Sequence, residues 1–546
     1  MKPAILFTSP WGPHPKTSLI DDPIDTFYYR NTFKQKVFQL RAFQSWHSLH
    51  FIAQNIPIPS VVLESPLQKE FKNEVNHGKY EVIAIGFTML LTHRVLEMVK
   101  WLRASHPETE IILGGYGTSV FSETFTEAIE LKSLVDGICF GDGIPYFRDI
   151  VKRKWGIDSQ ENLKQDLLPA ENSLFRTRIK IFRQIILVSS LGCLNGCSFC
   201  STSTQFNHKY IQLFNARELF IALLDQVRKH PRIESAIIYN ENFLQHRNMV
   251  LEFMKLFENS ALSNRPFLLT VFSSVHAVSQ YSIEELIRCG IGTIFIGVES
   301  LNQKVIDAES LKKRNGDAEK LFETLHRHGI NTLGSMIVGW DRQSIEDVQF
   351  DADNFIQMNP TFYQVIPLHP SPGTPLWERI KKEGRLIKDY RFEKDGISRF
   401  NFETQQYHYE KGLNVIANTY TKLVEEGGPW PFRMFENQLE GFLNLRLSEN
   451  PALERRSEIY RSMLLKISLL AVTSRFYFHG KGFKTRWGQS MSRFRKNFPM
   501  AYILNIMLSP FIFLILSSIY LIGSIVHFLK PNGDQPNKIR REYGNI

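Results

Sequence analysis

The stretch Gln184-Ile-Ile-Leu-Val-Ser-Ser-Leu-Gly192-Cys193-Leu-Asn-Gly196-Cys197-Ser-Phe199-Cys200 decides the fold. Its apolar first half, with two isoleucines and a valine, predicts a buried strand. The strand runs straight into a loop with three thiols within eight residues, and Gly192 and Gly196 leave that backbone free to wrap a compact inorganic core. Thiolates are the natural ligands of iron-sulfur clusters. Three protein ligands on a four-iron cluster leave one iron open, and an open position separates a catalytic cluster from an electron-transfer cluster held by four cysteines. A zinc site made from the same cysteines and His208 is the competing reading.

Downstream, Asn215 followed by Glu218 reads as a cap for a helix carrying Leu219, Leu223, Leu224 and Val227. Strands follow at SAIIYN from Ser235, FLLTVFSS from Phe267, TIFIGVES from Thr293, GSMIVG from Gly334 and FYQVIPLHP from Phe362. Six strands with helices between them predict an incomplete (β/α) barrel, whose chemistry sits at the carboxyl ends of the strands. Those ends are polar or glycine: Ser189, Asn240, Ser273, Glu299, Gly339 and His369.

Upstream, VIAIGF from Val82, a helix with Val95, Met98, Val99 and Leu102 on one face, IILGG from Ile111 and GICFG from Gly137 predict a doubly wound parallel sheet. Ligands of such sheets bind beyond the strands' carboxyl ends, where Gly114, Gly115 and Gly141 fall. The expected class is α/β: a doubly wound, Rossmann- or flavodoxin-like domain over 1–160, a linker over 161–180, and a partial (β/α)6 TIM-type barrel over 181–390. A helical accessory region at 391–496, a hydrophobic segment at 497–529 and a basic tail at 530–546 complete the expected division.

Later segments sharpen the reading of the cysteine loop. Tyr239-Asn240-Glu241-Asn242-Phe243, Gly297-Val298-Glu299-Ser300, Ser335-Met-Ile337-Val-Gly339 and Pro370-Ser-Pro372-Gly373-Thr374-Pro375 each fall at the end of a predicted strand. With the C-x3-C-x2-C loop and its aromatic Phe199, this order resembles the radical S-adenosylmethionine (SAM) superfamily. The resemblance implies a 4Fe-4S cluster on Cys193, Cys197 and Cys200 and reductive cleavage of SAM to a 5'-deoxyadenosyl radical. It further implies that Phe199, Glu241, Glu299, Ser335, Ile337 and Gly339 contact SAM, with Ser335 standing where the family has a glycine. Glu299 also reads as a helix cap. An electron donor such as flavodoxin or ferredoxin follows as a partner. An electron-transfer or sensor protein that does not cleave SAM is the alternative.

A doubly wound domain ahead of such a barrel resembles the cobalamin-binding subclass, with Gly114, Gly115 and Gly141 as its cofactor contacts. The D-x-H-x-x-G motif that would supply a histidine to cobalt is absent; the nearest text is Asn76-His77-Gly78, read as a loop. Cobalamin therefore stays open at this level. Methylthiotransferases share the domain order but need three further cysteines, and the N-terminal region has only Cys139, which reads with Cys289 as a buried thiol.

The chain has 546 residues, a formal charge of +10 and five cysteines, a pattern of a reducing compartment without disulfides. Prolines at 3, 10, 13 and 15 break the N-terminus, so no signal peptide is expected. The charge is localised: residues 475–546 hold eleven Lys and Arg against Asp534 and Glu542. They flank Asn497 to Leu529, which has no charged residue and is long enough to span a membrane, with Pro510 expected to kink it or set its start. Basic residues on both sides equally suit an in-plane anchor on an anionic membrane surface. The expected setting is thus the cytoplasmic face of a membrane, with an apolar substrate and no nucleic acid.

Overall fold

The computed structural model describes residues 3–14, 28–42, 45–123, 125–159, 162–174, 179–309, 316–529 and 535–544. Residues 530–534, 545 and 546 of the expected tail and 161 and 175–178 of the expected linker lie outside the described residues. The N-terminal sheet is built on five parallel strands, β1 (Ile5–Thr8), β2 (Ser60–Glu64), β3 (Val82–Gly86), β4 (Glu110–Gly114) and β5 (Gly137–Cys139), in the order β2-β1-β3-β4-β5, with a sixth strand added at the β2 edge. The order reverses between β1 and β3, the switch point at which a doubly wound sheet opens its crevice. The helix Thr92–Ser105 covers one face, and Val95, Met98, Val99 and Leu102 are fully buried there, as their spacing requires.

The second sheet carries β6 (Lys180–Val188), β7 (Ser235–Tyr239), β8 (Leu268–Ser274), β9 (Ile291–Glu299), β10 (Asn331–Val338) and β11 (Phe362–Pro367), six parallel strands in sequence order. Asn215 and Glu218 form the expected capping box on the helix Ala216–Lys229. The sheet continues past β6 through two antiparallel strands, Ala170–Leu174 and Leu40–Ala42. The segment expected as a linker therefore contains a strand, and a piece of the N-terminal region belongs to the barrel side.

The two walls of this half-barrel differ. Along β8, Leu269, Val271 and Ser273 are buried under helices, whereas Thr270 and Phe272 on the concave side are half-buried; Thr293 and Phe295 on β9 and Gln364 and Ile366 on β11 repeat the pattern. A closed barrel fills its interior with side chains. This one leaves its inner wall partly open.

The helices Tyr409–Gly427, Trp430–Leu445, Pro451–Thr473 and Lys481–Asn497 pack beyond β11. Onto them lies the helix Pro499–Leu529, which continues through Pro510. A narrow polar stripe docks it: Asn505 Nδ2 donates to Ser468 Oγ at 2.7 Å, and the Tyr477 and Ser517 hydroxyls meet at 2.8 Å. Met500, Phe511, Leu514, Ile522 and Phe528 face outward and are exposed. The chain then returns. Gln535 accepts from the His14 N–H at 2.8 Å, and β12 (Ile539–Tyr543) pairs antiparallel with β2. Arg540 meets Glu74 and Arg541 meets Asp166, so residues expected in a basic tail close the N-terminal sheet.

Candidate functional site

The barrel strand-end residues singled out in the sequence share the carboxyl end of one parallel sheet, and loops at that end meet the N-terminal domain through Thr202, Gln205 and Trp377. The loop from β6 turns at Gly192, whose φ is +74°. A Cβ there would stand 2.1 Å from the Lys209 carbonyl oxygen, so only glycine fits. Cys193, Cys197 and Cys200 follow, all half-buried, with the Cys200 N–H donating to the Cys197 carbonyl at 3.1 Å. The Leu376 N–H donates to the Ser198 carbonyl at 3.0 Å, fixing the loop to the motif that ends β11. Among the described residues no three His, Cys, Asp or Glu side chains converge as the ligands of one ion do. Three thiols that each hold a different corner of a cluster need no such convergence, and the loop suits that donor set.

Phe199 packs edge-on against Trp340, ring centroids 5.3 Å apart, next to Gly339 at the end of β10. Ser335 and Ile337 are buried on that strand, and Gln364 Nε2 donates to Ser335 Oγ at 2.8 Å. Glu299 is 4% exposed and has φ of +59°, a conformation rare for a side chain of its length, beside a register shift between β9 and β10. Asn302, not Glu299, caps the next helix. Glu241 is exposed at the end of β7 and accepts from Thr202 Oγ1 at 3.3 Å.

Thr202 joins the two domains, because Tyr116 Oη from the N-terminal crevice meets its hydroxyl at 3.1 Å. Burial raises the Tyr116 phenol's pKa, and the Glu241 charge adds to it. Tyr116 follows Gly114 and Gly115 at the end of β4, while Gly141 after β5 faces Gln205 across the interface. Two buried hydroxyls in the crevice loops, Thr88 Oγ1 and Ser119 Oγ, have no partner among the described residues, and the ring of Phe140 is 57% exposed. Buried hydroxyls without a partner after β3 and β4, with an exposed aromatic ring after β5, suit a large ligand that brings its own polar groups. His77 is not among them. It is not a loop residue but lies in the last turn of the helix Gln68–Gly78, where its Nδ1 meets the Asn73 carbonyl.

Sequence reasoning missed two residues here. Asp351 is fully buried on the helix Ile345–Met358 and accepts from Ser300 Oγ at 2.6 Å, the Leu301 N–H at 2.8 Å and Gln343 Nε2 at 2.8 Å. Gln343 in turn accepts from the Gly339 N–H at 3.0 Å, so one carboxylate ties the loop after Glu299 to the end of β10. Burial pushes its pKa up to about 6 against those hydrogen bonds. The signal was an acid on the apolar face of Val348, Ala352 and Phe355. His47 is the second. Its ring lies 6.2 Å from that of Tyr239, both its nitrogens are buried without a partner among the described residues, and burial lowers its pKa to about 4.

The family model of the radical SAM superfamily matches residues 187–353, the cysteine loop through β10 and into the helix that bears Asp351. The chain carries a radical SAM domain. It resembles a bacteriochlorophyllide d C-12(1)-methyltransferase of Chlorobaculum tepidum, 27% identical over 256 residues, which are 45% of this chain and 52% of the relative. A hopanoid C-2 methylase of Rhodopseudomonas palustris is 25% identical over 205 residues, 37% of this chain and 38% of that protein. These curated relatives are therefore matched over about half of their length or less. The fold of the radical SAM methyltransferase TsrM from Kitasatospora setae, solved with cobalamin and a 4Fe-4S cluster, superposes with a TM-score of 0.54 at 13% identity, covering 85% of this chain and 99% of that one. The radical SAM domain and its doubly wound partner thus recur together in a solved structure.

Proposed function

We propose that this chain is a cobalamin-dependent radical SAM enzyme that modifies, by methylation, an apolar substrate at a membrane surface. The observation that carries the reading is the meeting of the three-cysteine loop with the glycine crevice through Tyr116, Thr202 and Glu241. Cys193, Cys197 and Cys200 would hold the cluster, and Gly114, Gly115, Gly141, Thr88 and Ser119 would line the cobalamin site. When bound, the cluster supplies an electron to the SAM sulfonium and cobalamin offers a carrier for a methyl group. The protein's own part is positioning. In this reading Glu241 would pair with the methionine amino group, Glu299 would contact the ribose, and Ile337 and Gly339 would offer backbone and a flat apolar contact to the adenine. Phe199, packed on Trp340, would brace the loop beside Gly339.

The substrate reading rests on the helix Pro499–Leu529. Its two ends run into elements of one body, the helix Lys481–Asn497 and β12, so a single crossing of a bilayer does not fit this connectivity. An in-plane anchor does: the outward face is apolar, and Lys481, Lys484, Arg493, Arg495 and Lys496 lie on the preceding helix. In this reading the enzyme would work at the cytoplasmic face, supplied by a reductant such as flavodoxin or ferredoxin.

Anaerobically reconstituted, dithionite-reduced protein is expected to release 5'-deoxyadenosine from SAM and to show corrin absorbance when prepared with cobalamin. A full cluster without release would instead favour the electron-transfer or sensor alternative. Liposomes containing anionic lipid should sediment the full chain, and failure to do so would remove the membrane from the proposal.

A further inference from the structure

At the end of the half-barrel away from the cysteines lies a cavity of about 620 Å³, within the roughly 300–1,000 Å³ typical of ligand pockets. The strand starts form its floor, with Phe182, Leu268, Phe295 and Leu333, while Trp430 and Ile467 from the C-terminal helices close it. Its rim is charged: Lys180, Arg183, Arg232 and Lys466 against Glu234. Two buried amides on its wall, Asn31 and Gln438, each 1% exposed, retain side-chain atoms with no partner among the described residues.

The cavity does not stand alone. Phe295 in its wall packs against Phe272 at 5.2 Å, and Phe272 against Tyr239 at 5.9 Å, an aromatic row that crosses three adjacent strands of the half-open inner wall at one register and ends on Tyr239, the last residue of β7. From Thr293 to Glu299, β9 rises about 20 Å at ~3.3 Å per residue. On its other side the cavity touches the helix Pro451–Thr473, where Ile467 lines it and the adjacent Ser468 holds Asn505 of the apolar surface helix.

We infer that this cavity binds the hydrocarbon chain of a lipid substrate, which enters from the membrane surface beside Pro451–Thr473 and extends along the inner wall, across the Phe295-Phe272-Tyr239 row, toward the cysteine loop. This rests on the proposed function and names its substrate class. A short polar substrate would leave the lower half of the inner wall wet, whereas a chain of about 20 Å covers it and buries its length against rings and branched side chains. The basic rim favours entry at an anionic surface.

The test is binding of cis-parinaric acid, whose fluorescence rises when its chain leaves water, to the full-length protein. Wild type is expected to bind it saturably. Ile467→Trp and Met463→Trp, which fill the cavity from one wall, should each weaken binding about tenfold or more, while Leu465→Trp on the exposed side of the same helix should bind as wild type. Unchanged affinity in both cavity variants, or no saturable binding by wild type, overturns the inference. Should the variants fold poorly by circular dichroism, photolabelling of wild type with a long-chain diazirine alcohol decides: label on Pro451–Thr473 and the strand starts supports it, label confined to Pro499–Leu529 overturns it. Chain binding without SAM cleavage would sink the proposed function and leave this site standing; SAM cleavage without chain binding does the reverse.

Discussion

The two ends of the half-barrel are built from the same six strands and are chemically opposite. At the carboxyl end backbone geometry and polar side chains dominate: a glycine with no room for a Cβ, a glutamate in a left-handed conformation, and a buried carboxylate with three donors. At the amino end packing dominates, with aromatic and aliphatic side chains around open space and charges only at the rim. The difference teaches where each kind of perturbation should register. Changes of a single atom matter at the first end, and changes of volume matter at the second.

The largest effect should come from the cysteine loop. Cys197→Ala is expected to abolish both the brown cluster absorbance and SAM cleavage, while Cys289→Ala leaves both intact. The contrast follows from placement: Cys197 is half-buried on the loop, whereas Cys289 is 1% exposed behind the sheet with its pKa raised chiefly by burial. Loss of the chromophore in Cys289→Ala would mean that the fold, not ligation, governs the cluster.

Next comes Gly339→Ala. Its φ is +111°, and a Cβ added there would stand 2.2 Å from Phe400 Cε1, so the substitution forces backbone or ring to move. We expect a loss of about 1–3 kcal/mol in stability and weaker SAM binding, measured by chemical denaturation and by equilibrium dialysis of labelled SAM. Unchanged SAM affinity would remove Gly339 from the adenine contacts.

What was legible in the sequence follows the same division. The six barrel strands were readable because each is apolar and ends in a polar or glycine residue, and the cysteine loop because its spacing is compact. Less visible were elements that depend on distant partners. Ile5–Thr8 is four residues between Pro3 and Pro10 and reads as broken chain until β2 and β3 flank it. Ile539–Tyr543 reads as a basic tail until Glu74 and Asp166, from the other end of the sequence, neutralise Arg540 and Arg541. Asp351 and His47 were missed for a related reason: periodicity marks which residues are buried, not which buried groups lack a compensating partner.

Asp351 offers a test of the polar end by pH. Its pKa is raised to about 6 from the ordinary carboxyl value of 3.8, so the folded chain binds a proton that the unfolded chain has released. Its contribution to stability is therefore fully present below about pH 4 and lost as pH rises through about 6. Asp351→Asn should flatten this dependence over that window in thermal unfolding, yet raise KM for SAM because an amide oxygen that accepts from Ser300 and Gln343 leaves its NH2 facing the Leu301 N–H, a donor against a donor. Asp351→Ala should cost about 1–3 kcal/mol for a donor left without a partner. An unchanged pH profile in Asp351→Asn would show that the carboxylate does not titrate there.

The smallest effect is expected at the other end, in the ion pair of Lys466 with Glu234 at 2.6 Å on the cavity rim. The two side chains are 56% and 48% exposed, so water and salt screen their attraction. Glu234→Gln should change stability by no more than about 1 kcal/mol, and the change should vanish at high ionic strength. If the amino end is held by packing, that small value stands beside a larger loss for Phe362→Ala, whose ring stacks on Trp430 at 5.9 Å. A Glu234→Gln loss exceeding that of Phe362→Ala would break the contrast, because it would place electrostatics rather than packed volume in control of both ends.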